Sequence, residues 1–302
     1  YRVRRKAAAA MQPEAAEREY FADFKANRIS LQNFPLATWT RLMRETLSVH
    51  NEELLKTVPY KGVYELRKAI ADYLAHNRAM QVDPSQIIIG AGTEYLYGRL
   101  LQMFGHACTF AIEDPGYKKF ASISASFGNP WKYIPIDDNG LMIDKLEESG
   151  ADIVHLSPAN HFPTGIVMPV TRILELFEWV NRIRKRYIIE DDYDSEFRYT
   201  GRFILPLYAQ DTQSRVIYMN TFSKSLVPSL RISYMVLPPR LLERYEQTMS
   251  FYSCTVSSFE QYTLARFISE GYFERHINKM KNYYREQRHK ILAAIHASPL
   301  AD

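Results

Sequence analysis

One lysine, Lys224, stands among small hydroxyl residues in the stretch NTFSKSLVPSLRIS (220–233), with Arg231 following in the same stretch. An ε-amine becomes a nucleophile when its pKa falls, which burial and a nearby second cation both promote. Arg231 supplies such a cation, and its planar fork also suits a two-pronged grip on phosphate. Thr221 and Ser223 add hydroxyl donors. The lysine is thereby poised to form a Schiff base beside a phosphate seat. Acids come upstream in IIEDDYDSEFRY (188–199), where Glu190, Asp191 and Asp192 close an apolar run and Tyr193 follows. Carboxylates at a buried strand end are costly unless a cation pairs with them. Strand alternation puts Asp191 and Tyr193 on one face and Asp192 on the other, leaving open which aspartate makes the pair. A metal would need further ligands that nothing in the sequence places, so no metal site is expected. A protonated ring nitrogen would serve as the partner instead.

Three further stretches carry chemistry-bearing residues between apolar runs and helical patterns. In IIIGAGTEYLYGRLL, Gly92 and Thr93 precede a helix whose unpaired N–H groups could seat an anion. In IEDPGYKKF (112–120), Tyr117 follows a Pro-Gly turn, where an aromatic ring could cover a flat cofactor. In SPANHFPTG (157–165), a proline-braced loop carries Asn160, a candidate donor to a cofactor oxygen, and His161, a candidate base, binder or surface residue. Taken singly, each has a plain structural reading: a tight turn, a helix-start tyrosine, a surface lysine. Gly90 and Gly92, with Glu113 and Asp114 downstream, also suggest a dinucleotide fingerprint, but Tyr95 fills the position where close helix–strand packing needs a small residue. A phosphate seat, an amine for an aldehyde, an acid for a pyridinium and a ring cover together describe pyridoxal 5'-phosphate.

Positioning these residues takes alternating strands and helices. QIIIG, CTFAIED, ADIVHLSP, RYIIEDDYD, RVIYMN and RISYMVLPP read as buried strands, because they are short apolar runs bounded by turn residues. TEYLYGRLLQMF, YKKFASISASFG and TRILELFEWVNRIRK read as the helices between them. Residues 36–55 carry apolar residues at helical spacing. The following pattern aligns Leu66, Ala69, Ile70, Tyr73 and Leu74 on one face. The alternation argues an α/β protein whose parallel sheet lies between helices, with ligands at the carboxyl ends of its strands. From about residue 240 the pattern is helical to the end. The expected organisation is a charged linker or tail over 1–27, a large cofactor-binding domain over 28–250, and a helical connection to a truncated small domain over 251–302.

Composition bounds the rest. The chain has 302 residues, 46% hydrophobic and 24% charged, with a net charge of +4, so no strong electrostatic case for nucleic-acid binding arises. Cys108 and Cys254 stand far apart with no metal-ligand spacing, consistent with a reducing cytoplasm. No apolar run has the length of a signal peptide core or a membrane span. The chain begins with Tyr1, which suggests that it was cut from something longer.

The motifs GAGTEYLYG, EDPGYKKF, SPANHFPTG, IIEDDYDSEFRY and TFSKSLVPSLRISYMVLP, in this order over about residues 28 to 250, resemble the aminotransferase-like domain of the MocR/GabR group of bacterial regulators. That group belongs to the fold-type I, aspartate-aminotransferase superfamily. The resemblance implies a seven-stranded, mostly parallel sheet and pyridoxal phosphate as cofactor. Lys224 would form the internal aldimine, Asp191 would pair with the pyridine nitrogen and Tyr193 with the ring hydroxyl. Tyr117 would stack on the ring, and Gly92, Thr93, Thr221, Ser223 and Arg231 would hold the phosphate, with Asn160 as a further contact. It also implies a cytoplasmic homodimer, a small-molecule amine or amino-acid effector or substrate, and contact with DNA only through an N-terminal winged helix-turn-helix domain not in this chain. The alternative is a true class I/II aminotransferase moving an amino group between an amino acid and a 2-oxo acid. Two departures stand out: Glu94-Tyr95 replaces the paired glutamines of many members, and Asn160-His161 replaces their His-Gln. The arginine that grips substrate carboxylate in the superfamily would lie beyond Asp302.

Overall fold

A computed structural model describes residues 33–50, 52–197 and 204–298. The expected linker over 1–27 lies outside them, as do Arg198 and Tyr199 of the acidic stretch. Two helices, α1 (Leu36–Val49) and α2 (Tyr64–Arg78), precede the first strand, β1 (Ile87–Gly90). The alternation follows as α3 (Thr93–Phe104), β2 (Phe110–Asp114), α4 (Lys119–Ser126), β3 (Trp131–Asp137), β4 (Gly140–Leu141), α5 (Ile143–Ser149), β5 (Ile153–Leu156), α6 (Val170–Arg182) and β6 (Tyr187–Asp191). Beyond residue 203 come α7 (Leu207–Gln210), β7 (Val216–Thr221), α8 (Phe222–Ser225), β8 (Ser233–Val236), α9 (Pro239–Met249), α10 (Ser258–Ser269) and α11 (Tyr272–His296).

The strands form one sheet in the order β1-β8-β7-β6-β5-β2-β3-β4. The run from β7 to β3 is parallel, whereas β8 is antiparallel to both β1 and β7. The eighth strand, β4, is a two-residue return from β3, so the expected seven strands are present with this short addition. Both faces of the central strands are covered, which is why β1, β5, β7 and β8 are buried at every position. Ile188 and Val216 face α5 and α6, while Ile189, Ile217 and Met219 face α3 and α9. On α6, Ile173, Leu176, Trp179 and Val180 fall on one buried face at helical spacing. Each such side chain contributes roughly 1.5–3 kcal/mol by leaving water. At the β1 end, Leu264 and Phe267 of α10 and Phe273 of α11 join Leu66, Ile70 and Leu74 of α2 in one core.

The chain moves outward from β2 to β3, then returns to place β5 on the other side of β2 and continues through β6 and β7. That reversal opens a crevice at the carboxyl ends of β2 and β5, where ligands of open α/β sheets bind. Asp191 pairs in register with Met219, so the ends of β6 and β7 also lie side by side at this edge.

Candidate active site

At the end of β6, alternation separates three consecutive acids. Glu190 is fully buried and accepts hydrogen bonds from the backbone N–H groups of Leu207 and Tyr208 at 2.9 and 3.0 Å, at the start of α7. Asp192 is buried beside the Arg78 guanidinium, which donates to its carboxylate, and also accepts from the Tyr218 hydroxyl at 2.9 Å. Asp191 points to the other side. Its Oδ2 lies 3.6 Å from Nε2 of His155, and its buried Oδ1 meets no hydrogen-bond partner among the described residues. Asp192 is thus engaged by Arg78 and Tyr218, and Asp191 lies beside His155.

Tyr193, half-buried, donates its hydroxyl proton to the backbone carbonyl of Asn160 at 3.0 Å. Asn160 Nδ2 in turn lies 3.5 Å from that hydroxyl and donates to Asp194. The loops after β5 and β6 are thus tied together through the two predicted residues. Burial, with Asp194, Asp191 and Glu113 nearby, pushes the Tyr193 phenol well above its ordinary pKa. Tyr117, after β2, is 41% exposed, and its ring packs edge-on against Phe120 and Phe162 with centroids 5.4 and 6.4 Å away.

The predicted phosphate residues come from two elements. Gly92 caps α3 with φ +97°, a conformation side-chain-bearing residues rarely adopt, and a Cβ there would run into the guanidinium of Arg231. Arg231 itself has a left-handed φ of 51° and lies 3.9 Å from Glu94. The structure therefore brings Gly92, Thr93 and Arg231 together at the start of α3. Thr221 ends β7 and caps α8, its hydroxyl accepting from the N–H of Ser223 at 3.1 Å. The Ser223 hydroxyl oxygen is buried without a hydrogen-bond partner among the described residues. Lys224 is the exposed residue of α8, between buried Ser223 and buried Ser225.

His161, offered above as a base, a binder or a surface residue, is buried. Its Nδ1 lies 2.7 Å from the Thr164 hydroxyl, its Nε2 lies 3.6 Å from Glu113, and burial lowers its pKa. Glu113, named above with the weak dinucleotide pattern, is buried as well. It accepts from the N–H of Ser157 at 3.1 Å, and desolvation pushes its carboxyl up to about 8. Sequence reasoning missed His155, whose ring packs on Phe120 with centroids 3.9 Å apart and faces Asp191. The available signal was one polar residue inside the apolar strand IVHL. It also missed Arg78, the one cation on the buried face of α2.

Comparison with known proteins places this geometry in a family. The family model described as aminotransferase class I and II matches residues 23–300, and the chain belongs to that family. It is 40% identical over 285 residues to the uncharacterized HTH-type transcriptional regulator YdeL of Bacillus subtilis, covering 94% of this chain and 61% of YdeL. It is 33% identical over 275 residues to the probable rhizopine catabolism regulatory protein MocR of Rhizobium meliloti, covering 90% of this chain and 55% of MocR. The chain thus spans less than two thirds of the length of these regulators. Among solved structures, the multiple substrate aminotransferase of Thermococcus profundus superposes with a TM-score of 0.80 at 28% identity, over 90% of this chain and 70% of that one. The fold is that of the aminotransferases, and the relatives at 33–40% identity are regulators that carry it.

Proposed function

We propose that this chain is the pyridoxal-phosphate-binding, effector-sensing part of a MocR-type transcriptional regulator. The observation that carries the cofactor reading is that Asp191 Oδ1 and Ser223 Oγ, two of several buried polar atoms without hydrogen-bond partners among the described residues, lie at the carboxyl ends of adjacent parallel strands. A pyridinium N–H would satisfy the first and a phosphate oxygen the second. The close approach of the Arg231 guanidinium to Gly92 supports the same seat, since phosphate beside it would meet both the guanidinium and the N-terminus of α3. When bound, the cofactor supplies an aldehyde and an electron-withdrawing ring. In this reading Lys224 would hold the cofactor through its aldehyde, whose oxygen leaves as water, Asp191 would hold the ring proton, and Tyr193 with Asn160 would fix the ring hydroxyl. Tyr117 covers the ring face, while Thr93 and Thr221 complete the phosphate contacts.

The regulator reading is supported by the relatives YdeL and MocR. In it, an amine or amino acid that competes for the cofactor shifts a homodimer between two states in the cytoplasm. DNA is then contacted through a segment outside these residues. A second reading, amino-group transfer between an amino acid and a 2-oxo acid, is favoured by the likeness to the Thermococcus profundus enzyme. Lys224 would then also move a proton as general base.

The absorption spectrum of protein purified with pyridoxal phosphate tests the cofactor assignment. A near-visible band, trapped by borohydride on Lys224 and lost in Lys224→Ala, is expected. A well-folded protein with no such band would overturn both readings. Mixing the loaded protein with amino donors separates them: loss of the band with release of a 2-oxo acid supports transfer, and a shifted band without such release supports sensing.

A further inference from the structure

We propose that His276 is a positioning residue for Lys224, and that through it the helix α11 and the lysine behave as one mechanical unit. This rests on the assignment of Lys224 to the cofactor made above. The lysine sits on α8, a helix of four residues, too short to be held by its own hydrogen bonds. Neighbouring elements fasten it instead. At its start the Thr221 hydroxyl accepts the Ser223 N–H, and the Phe222 ring meets the ring of Phe273 on α11 edge-on, with centroids 5.5 Å apart. At its end His276, one turn further along α11, lies with Nε2 2.9 Å from the carbonyl oxygen of Ser225. A carbonyl can only accept, so Nε2 carries the proton and donates it. That bond satisfies one of the C-terminal carbonyls a short helix otherwise leaves open.

The two α11 side chains therefore bracket Lys224 in sequence, one at Phe222 and one at Ser225. Both are buried: Phe273 is 0% exposed and His276 7%. Burial and the charge of Lys279 hold His276 toward its neutral form, which has a single N–H to give. Past Met280 no residue of α11 is buried, and its last two turns are largely exposed. The helix thus has one end clamped on the lysine's support and a long remainder outside the core. A change in the backbone at Lys224, such as a covalent partner would impose, passes first to Ser225 and Phe222 and from there to α11.

Hydrogen exchange and cofactor binding on the intact protein test this. In the wild type, pyridoxal phosphate is expected to slow amide exchange in the first two turns of α11 (272–280). His276→Leu removes the donor and should weaken cofactor binding roughly tenfold, as for a buried carbonyl left unpaired. It should also flatten the induced circular dichroism of the bound cofactor, which reports a fixed ring. His276→Gln, whose amide can donate in place of Nε2, should restore both signals. Unchanged exchange at 272–280 in a wild type that shows the normal near-visible band would overturn the proposal whether or not the leucine variant folds. Equal affinity and dichroism in a folded leucine variant would overturn it too. A wild type with no band at all speaks against the cofactor assignment itself.

Discussion

Asp192 shares a buried cluster with Arg78 and Tyr218, so its charge is matched inside the protein, whereas Asp191 next to it faces His155 with no guanidinium or ammonium paired to it among the described residues. Isosteric amides separate these roles. Asp192→Asn leaves the buried Arg78 guanidinium without its countercharge and should cost about 3–5 kcal/mol, read as a lower urea midpoint. Asp191→Asn should leave that midpoint nearly unchanged and instead lower cofactor affinity by at least tenfold in a spectrophotometric titration. The reverse pattern would exchange the two roles. Lys224, Asp191 and Tyr193 could be singled out as candidates because each sits in a short motif beside a strand end. His155 and Arg78 could not, because their partners arrive only through register and packing. His155 meets Asp191 across paired strands, and Arg78 reaches Asp192 from a helix more than a hundred positions away in the chain.

At the scale of elements, strands and helices between residues 87 and 236 could be read from apolar runs and turn residues, and α3 falls where its pattern predicts. The strand β3 did not show. Pro135 and the exposed residues of WKYIPID break the apolar run, which the outer position of the strand in the sheet allows. The direction of β8 was also invisible, since a short apolar run reads alike in both orientations. The helical pattern over 36–55 ends earlier than expected, at Val49, with a single tight turn at Glu53–Leu55 beyond it. The joint between α10 and α2, packed through Leu264, Phe267, Leu66 and Ile70, also carries one buried polar tie. Gln261, fully buried, accepts from the N–H of Val63 at 2.9 Å and donates to the carbonyl of Val256 at 2.8 Å. Gln261→Leu keeps the bulk but leaves both backbone groups unpaired. A loss of roughly 2–4 kcal/mol is expected by urea unfolding, with faster exchange at Val63. A variant as stable as the parent would show that this joint does not depend on the amide.

For the whole molecule, the buried acids set the response to pH. Desolvation pushes Glu113 up to about 8 and Glu196 up to about 7, and raises Glu190 as well. In the unfolded chain these groups ionise near 4.5, so between that pH and about 8 the folded state holds more protons. Their contribution to stability is therefore fully present below about 4.5 and is lost as pH rises through 7 to 8. His161 and His276, both lowered by burial, act in the opposite sense and cost stability as pH falls below about 6.5. The cofactor-free protein should accordingly melt at a lower temperature at pH 8.5 than at pH 6.5, with a shallower slope in Glu113→Gln. A melting temperature that climbs across that interval would contradict the assignment. Among the described residues no helix is long and apolar enough to cross a membrane, and no cluster of three or more His, Cys, Asp or Glu side chains could hold a metal ion.

The antiparallel strand β8 has a consequence for synthesis. It alone joins β1 to the rest of the sheet, with Ile87 paired to Val236 and Gly90 to Ser233. The strands from β2 to β7 can pair with one another as they leave the ribosome, each finding a partner already made. β1 cannot; its only edge waits until Val236 has emerged. The first third of the chain is therefore translated early and docked late, a long-range closure of the kind that slows folding. During that interval β1 and the apolar faces of α1 and α2 are exposed to whatever binds nascent chains. The same closing step brings Arg231, which shortly precedes β8, against Gly92, which shortly follows β1. Closing the sheet and joining these two loops are thus one event.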